Sequence, residues 1–289
     1  MNGKNTWLYL FTAPLMLFFA VFLLIPVLMV VGSSFLHWRG FSGELAFIGL
    51  DNYGAALKDA EFLKAFLNTL LWTALQATVH VAVGVSMAMV LSRKFKGWKV
   101  IRTAFVVPNM IAASALGFVF LMVFNGEFGL LNAMLKGAGL DFLVHNWLFE
   151  TGTAFWSVTM TWLLYAGLIM LLVLTELGTI PASLYEAAQL DGASQLQQDL
   201  FVTLPLLRNV IGTSVIIAAT SKLKEFELIY IATKGGPGNT TMNLPLYLYN
   251  TAMVQNDFGY SNMIGTVLIV LGLVLIFFIS RFFRMESDS

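Results

Sequence analysis

Residues 258–280 read FGYSNMIGTVLIVLGLVLIFFIS, without one charged side chain. Coiled as a helix, at 1.5 Å per residue, this run is roughly 34 Å long, enough to cross the hydrocarbon of a bilayer. It is apolar on every side, so no face of it suits water, and it far exceeds an ordinary strand. The stretch reads as a membrane span.

Five further runs towards the amino terminus read the same way. Spans are expected at residues 8–35, 66–91, 103–124, 153–175, 204–224 and 259–280. The fifth is the weakest, with Arg208 near one end and Lys222 and Lys224 at the other. An outer-membrane barrel would alternate in ten-residue segments, and no such alternation occurs. The first run is far longer than a signal-peptide core and no small-residue cleavage pattern follows it, so it is expected to be retained. The fold class is therefore all-α integral membrane with six transmembrane helices, a single domain over residues 1–289.

Composition agrees. The 289 residues are 58% hydrophobic and 11% charged, with mean hydropathy +0.80. Soluble domains carry about 25% charged residues, more than twice that share. Net charge is zero and the basic residues are scattered, so no nucleic-acid footprint exists. The chain has no cysteine, which excludes disulfides and thiolate chemistry.

Orientation follows from the short loops. Arg93, Lys94, Lys96, Lys99 and Arg102 lie between the second and third runs with no acid among them, which marks that loop as cytoplasmic. Lys4, Arg281 and Arg284 then place both termini inside, while the acidic stretch with Glu44, Asp51, Asp59 and Glu61 faces out.

Catalytic motifs are missing. There is no G-x-x-x-x-G-K-[ST] phosphate loop, no H-E-x-x-H, and no G-x-S-x-G, so neither an ATP site nor a metal or hydrolase centre is expected. His37, His80 and His145 are isolated from carboxylates in sequence. His80 lies inside a span, where an ionisable residue is either functional or bonded to a neighbouring helix.

The loop at residues 176–203 is the most informative. Pro181 suits a first helical turn, and Ser183 with Glu186 has capping-box spacing. Asp191-Gly192 ends that helix, and Ser194 with Gln197 offers a second capping pair. Pro205 marks where the fifth span begins or kinks. Spacing alone suits a plain helix-turn-helix linker equally well.

The residues say more. Glu186-Ala187-Ala188-Gln189-Leu190-Asp191-Gly192-Ala193, followed by Thr203-Leu204-Pro205-Leu206-Leu207, resembles the EAA loop of binding-protein-dependent ABC permeases. Gly49-Leu50-Asp51-Asn52-Tyr53, Asn68-Thr69-Leu70, Phe128-Gly129-Leu130-Leu131-Asn132 and Gly235-Gly236-Pro237 are similar to segments of maltose-transporter-like sugar permeases.

The resemblance implies the type I importer permease fold in a bacterial-type inner membrane. It implies half of a pore completed by a second permease subunit, a heterodimer embedded in membrane lipid. Two separate ATPase subunits would carry ATP and magnesium, leaving this chain without a cofactor, and an extracellular solute-binding protein would deliver a sugar or oligosaccharide. Glu186, Ala187, Ala188, Asp191, Gly192, Ala193, Leu204 and Pro205 would form the ATPase-coupling loop. Family members commonly carry arginines and aromatics in its second half, where this chain has Gln195, Leu196, Gln197, Gln198 and Asp199, with Phe201 the only aromatic.

Lys222 with Glu225, and Lys224 with Glu227, are spaced to pair along a helix; alternatively the helix ends at Thr220 and the charges are solvated. By resemblance, Lys224, Glu225 and Tyr230 are substrate-path candidates, joined by Asn109, Asn250 and Asn262 as hydroxyl-bonding groups. Each asparagine equally suits an interhelical hydrogen bond. Gly84 with Ala88, and Ala113 with Gly117, permit close helix crossings. The alternative class is a secondary transporter driven by an ion gradient, but the inverted repeat expected of one is not visible.

Overall fold

The computed structural model describes residues 3–40 and 45–283; Glu44 and Arg284, used above for orientation, lie outside them. Among the described residues, four helices are long and apolar enough to cross a membrane: Phe11–Ser33, Ala60–Ser92, Ala154–Leu177 and Phe258–Phe283. Two bent pairs bring the number to six if each is one span.

The bend in the third run departs from the straight helix that hydropathy suggests, while that in the fifth follows the kink expected near Pro205. The third run breaks into Trp98–Met110 and Ala113–Val123, inclined by 106°. Pro108 has no N–H to give the ladder, and Ile111 and Ala112 then turn extended with ψ of 136° and 139°. The fifth is Gln195–Leu206 and Arg208–Lys222, bent by 69° two residues after Pro205. The fourth is interrupted between Leu163 and Gly167.

The chain divides into two compact units. The first comprises Met1–Leu63 and Tyr247–Val270. From Phe11 to Ser33 no side chain is buried, as expected of an apolar helix that meets lipid rather than protein. A short antiparallel ribbon follows, Leu36–His37 against Ala46–Phe47. The G-L-D-N-Y segment ties it down. Gly49 turns the chain at φ +58°, Asn52 Nδ2 donates to the Ser34 and Leu36 carbonyls at 2.8 and 3.1 Å, and Tyr53 OH bonds Ser34 Oγ at 2.8 Å. Gly259 abuts the same ribbon, where a Cβ would stand 2.2 Å from the Leu36 carbonyl oxygen.

The second unit, Lys64–Leu246 with Leu271–Ser289, holds the main core. Val81, Val85, Ala88 and Leu91 of the second run pack against Ile169, Met170 and Val173 of the fourth and Leu207 and Ala218 of the fifth. Lipid tails are as apolar as these side chains, so close approach rather than water exclusion holds them. Gly84 shows this directly, since a Cβ there would meet Ile169 Cβ at 2.7 Å. Gly117 is packed in the same way against Ile231.

Loops of this unit are pinned by the residues that carried the family resemblance. Asn68 Nδ2 donates to the Thr240 and Met242 carbonyls, and Thr69 Oγ1 accepts from Leu244 N at 2.9 Å. Asn132 Nδ2 donates to the Gly126 and His145 carbonyls while its Oδ1 accepts from Trp147 Nε1. A Cβ at Gly129 would stand 2.2 Å from the Asn125 carbonyl oxygen.

Candidate functional site

The helix Ala182–Leu190 begins one residue after Pro181, whose extended ψ of 133° makes it the cap. Ser183 thus falls inside the first turn, and the expected Ser183–Glu186 capping pair does not form: the helix has no side-chain cap. Glu186 is left exposed, with Ala187 beside it.

The turn that follows forms as expected. Asp191 N–H donates to the Ala187 carbonyl, Gly192 N–H to Gln189 and Ala193 N–H to Ala188, at 3.1, 3.0 and 2.9 Å. The last two are the paired bonds of a Schellman cap, closed by Gly192 at φ +79°. Ser194 starts the next helix, Gln195–Gln198, with a complete capping box: Ser194 N–H donates to Gln197 Oε1 at 2.7 Å and Gln197 N–H to Ser194 Oγ at 3.4 Å.

The unusual second half of the loop is consumed internally. Gln197 caps, buried Gln198 donates to the Ala193 carbonyl at 2.9 Å, and Asp199 accepts from Arg93 at 2.7 Å. Tyr185 OH meets Thr203 Oγ1 at 3.2 Å, so the first helix also touches the π-helical turn Asp199–Thr203 that follows the second. A recess of about 210 Å³ lies between Arg93, Tyr185, Gln195 and Asp199. The loop is a braced elbow rather than a tether.

Its outer surface carries three large apolar side chains. Leu190 is 90% exposed, Phe201 75% and Leu196 67%. Sequence reasoning missed these three, and also Arg93, whose basic neighbours had been read only as an orientation signal. Leu204 is half-buried and Pro205 exposed at the start of the bent fifth run.

A second constellation sits where the fifth run ends. The helix runs through Lys222, not Thr220, so the solvated reading fails for Lys222 and holds for Lys224 and Glu227, which are exposed. Lys222 is 5% exposed: its Nζ lies 3.1 Å from Glu225 Oε2 and 3.9 Å from the centre of the Trp162 ring. Cation and aromatic face attract where water is excluded. Asn243 Nδ2 donates to the Glu225 carbonyl. The other expected pair, Lys224 with Glu227, does not form among the described residues, and Lys224 and Tyr230 are exposed.

His80 Nδ1 donates to the Leu163 carbonyl at 3.0 Å, next to the break in the fourth run, which is the neighbouring-helix reading. Asn109 Nδ2 donates to the Phe105 carbonyl at 3.2 Å and reaches the Tyr165 carbonyl at 3.5 Å. Asn262 donates to Ser33 Oγ at 2.8 Å, and Asn250 lies in the π-helical turn Asn250–Val254 of the first unit. Among the described residues no three His, Asp or Glu side chains are grouped to hold a metal.

Known proteins share this design. The family described as "Binding-protein-dependent transport system inner membrane component" matches residues 80–285. The probable ABC transporter permease protein YurN of Bacillus subtilis is 35% identical over 285 residues, covering 97% of each chain. The diacetylchitobiose uptake system permease protein NgcF of Streptomyces coelicolor is 32% identical over 279 residues, covering 91% of this chain and 79% of that one. The fold also matches the structure of a bacterial ABC transporter involved in import of the acidic polysaccharide alginate. That match has a TM-score of 0.83 at 22% identity and covers 99% of this chain and 97% of the other. None of this supports the gradient-driven alternative. The chain belongs to the binding-protein-dependent transport system inner membrane components, the multi-pass permease subunits of ABC importers.

Proposed function

We propose that this permease forms half of the pore of a saccharide importer and receives the force of ATP hydrolysis through the elbow at residues 182–203. The observation that carries the reading is the pairing of a rigid turn with an apolar rim. Gly192 and Ser194 fasten two helices end to end, and Leu190, Leu196 and Phe201 stand in solvent around them. Burying each such side chain is worth roughly 1.5–3 kcal/mol, which makes the rim a docking surface for a separate subunit. A braced lever transmits displacement that a flexible linker would absorb.

In this reading Glu186 is free to meet a cation on the ATPase subunit, and Ala187 and Ala188 let the surfaces approach. The assembly has a second permease subunit, two ATPase subunits carrying ATP and magnesium, and an external solute-binding protein, with both termini of this chain inside. Saccharide as substrate is supported by the uptake system named for NgcF and by the sugar-permease-like segments. Lys224, Glu225 and Tyr230 lie on the path, with Lys222 and Trp162 holding Glu225 in place. Asn250 is a further candidate, while Asn109 and Asn262 are less suited, because both already bond neighbouring groups.

The test is co-purification and uptake. The tagged permease, expressed with its partners, should retain the ATPase subunit, and Leu190→Ser with Phe201→Ser should release it. Vesicles holding the intact assembly and its binding protein should take up a labelled oligosaccharide with ATP inside. Retention of the ATPase by the double variant would overturn the docking assignment, and transport of only non-saccharide solutes would overturn the substrate class.

A further inference from the structure

The helix Trp98–Val106 and the 3-10 turn Val107–Met110 leave a cleft of about 400 Å³ against Leu171. Its lining is graded. Trp98, Lys99, Arg102 and Thr103 form one end; Val106, Val107 and Met110 form the other. The apolar end is open to the outside, Met110 being 80% exposed. On the other face, Ile101 and Phe105 rest on the core, so the helix is held in place without the cleft being filled. Lys99 and Arg102 are exposed and form no ion pair among the described residues. No acid lies between Arg93 and Arg102.

From Arg102 to Met110 the stripe runs about 12 Å from fixed positive charge to bare hydrocarbon. A phospholipid has the same gradient, with phosphate at one end and acyl chains at the other. Tryptophan and basic side chains gather at that boundary of a bilayer, and basic clefts between spans on the cytoplasmic side take anionic headgroups. We propose that this cleft binds one anionic phospholipid of the inner leaflet. Its phosphate lies between Lys99 and Arg102 and a chain lies along Val106, Val107 and Met110. The site rests on the inward orientation of residues 93–102.

The assembled transporter, extracted from vesicles of mixed phosphatidylglycerol and phosphatidylethanolamine, is examined by native mass spectrometry for retained lipid. Each cation near an anionic surface is worth about 1 kcal/mol, so Lys99→Gln with Arg102→Gln should cut retained phosphatidylglycerol by roughly tenfold or more. Phosphatidylethanolamine should be unchanged, and Lys99→Arg with Arg102→Lys should keep the phosphatidylglycerol. Lys94→Gln with Lys96→Gln, outside the cleft, should also keep it. Excess inorganic phosphate should not strip the lipid.

Equal loss in both neutralised pairs would mean diffuse charge and no site. Displacement by phosphate would mean an anion site without a chain. Cross-linking of a Met110→Cys variant to the partner permease would mean that protein fills the cleft. Each of these overturns the proposal. Orientation is read separately: Lys96→Cys should react with an impermeant thiol reagent only from the inside, and reaction from outside would overturn the orientation rather than the chemistry of the cleft.

Discussion

Arg93 Nη2 lies 2.7 Å from Asp199 Oδ2, joining the end of the second span to the second helix of the coupling elbow across 106 positions of sequence. Arg93 is about half exposed, so the pair contributes at most about 1 kcal/mol to stability. Its value is positional. Asp199→Asn and Arg93→Gln should each leave the melting temperature within a few degrees of wild type. Both should lower substrate-stimulated ATP hydrolysis relative to basal hydrolysis, and the exchanged pair Arg93→Asp with Asp199→Arg should recover part of the stimulation. A large loss of stability with normal coupling would show the pair to be structural only.

Gly192 sits at φ +79°, and nothing lies within 4 Å of where a Cβ would be. The constraint is therefore backbone conformation and not space. A β-branched residue there costs about 1–2 kcal/mol, whereas asparagine tolerates the left-handed region. Gly192→Val is expected to bind the ATPase subunit weakly or to uncouple hydrolysis from uptake, and Gly192→Asn to retain most of both. Gly192→Val with wild-type substrate-stimulated hydrolysis would remove the turn from the mechanism.

Lys222 and Glu225 test what a buried pair does inside the membrane. Removing one partner from such a pair typically costs 3–5 kcal/mol because the other charge is stranded; Glu225 is 20% exposed, so the lower end applies. Glu225→Gln should lower the thermal midpoint and raise the KM for uptake. Lys222→Met with Glu225→Gln should restore the midpoint while leaving the KM raised. If the double variant transports with wild-type KM, Glu225 does not touch the substrate.

Four of the spans were legible in sequence because uncharged length alone decides them, and the Schellman turn because glycine adopts φ +79° at the least cost. The bend at Leu207 was signalled by Pro205 but not its angle, and the bend at Pro108 was not seen, since hydropathy carries no direction and a proline permits a kink without setting its angle. Ser183 misled because capping depends on where the first turn starts, and Pro181 took that place. Ser194 read correctly because the preceding turn leaves its position no choice. Arg93, Asp199 and the Trp162 platform under Lys222 were invisible for one reason: each contact joins residues far apart in sequence, and no local pattern encodes it.

Asp59 gives the last test. Its Oδ2 accepts from Tyr247 and Tyr260, and its Oδ1 caps the second span by accepting from Glu61 N–H at 2.9 Å and Phe62 N–H at 3.3 Å. Burial alone would push the carboxyl pKa up, but these four donors outweigh it and hold the pKa below the ordinary aspartate value. Burial and the neighbouring carboxylate push the Tyr247 phenol up, so it remains a donor across the working range. A carboxylate whose pKa is lowered by folding stabilises the protein at every pH above its unfolded value, about 3.9, and loses that contribution as pH falls through the folded value. The difference in thermal midpoint between wild type and Asp59→Asn should therefore stay level from about pH 8 to pH 5 and shrink only below about pH 4. A difference that closes near neutral pH would mean that the carboxyl is protonated there and that the tyrosines do not hold it ionised.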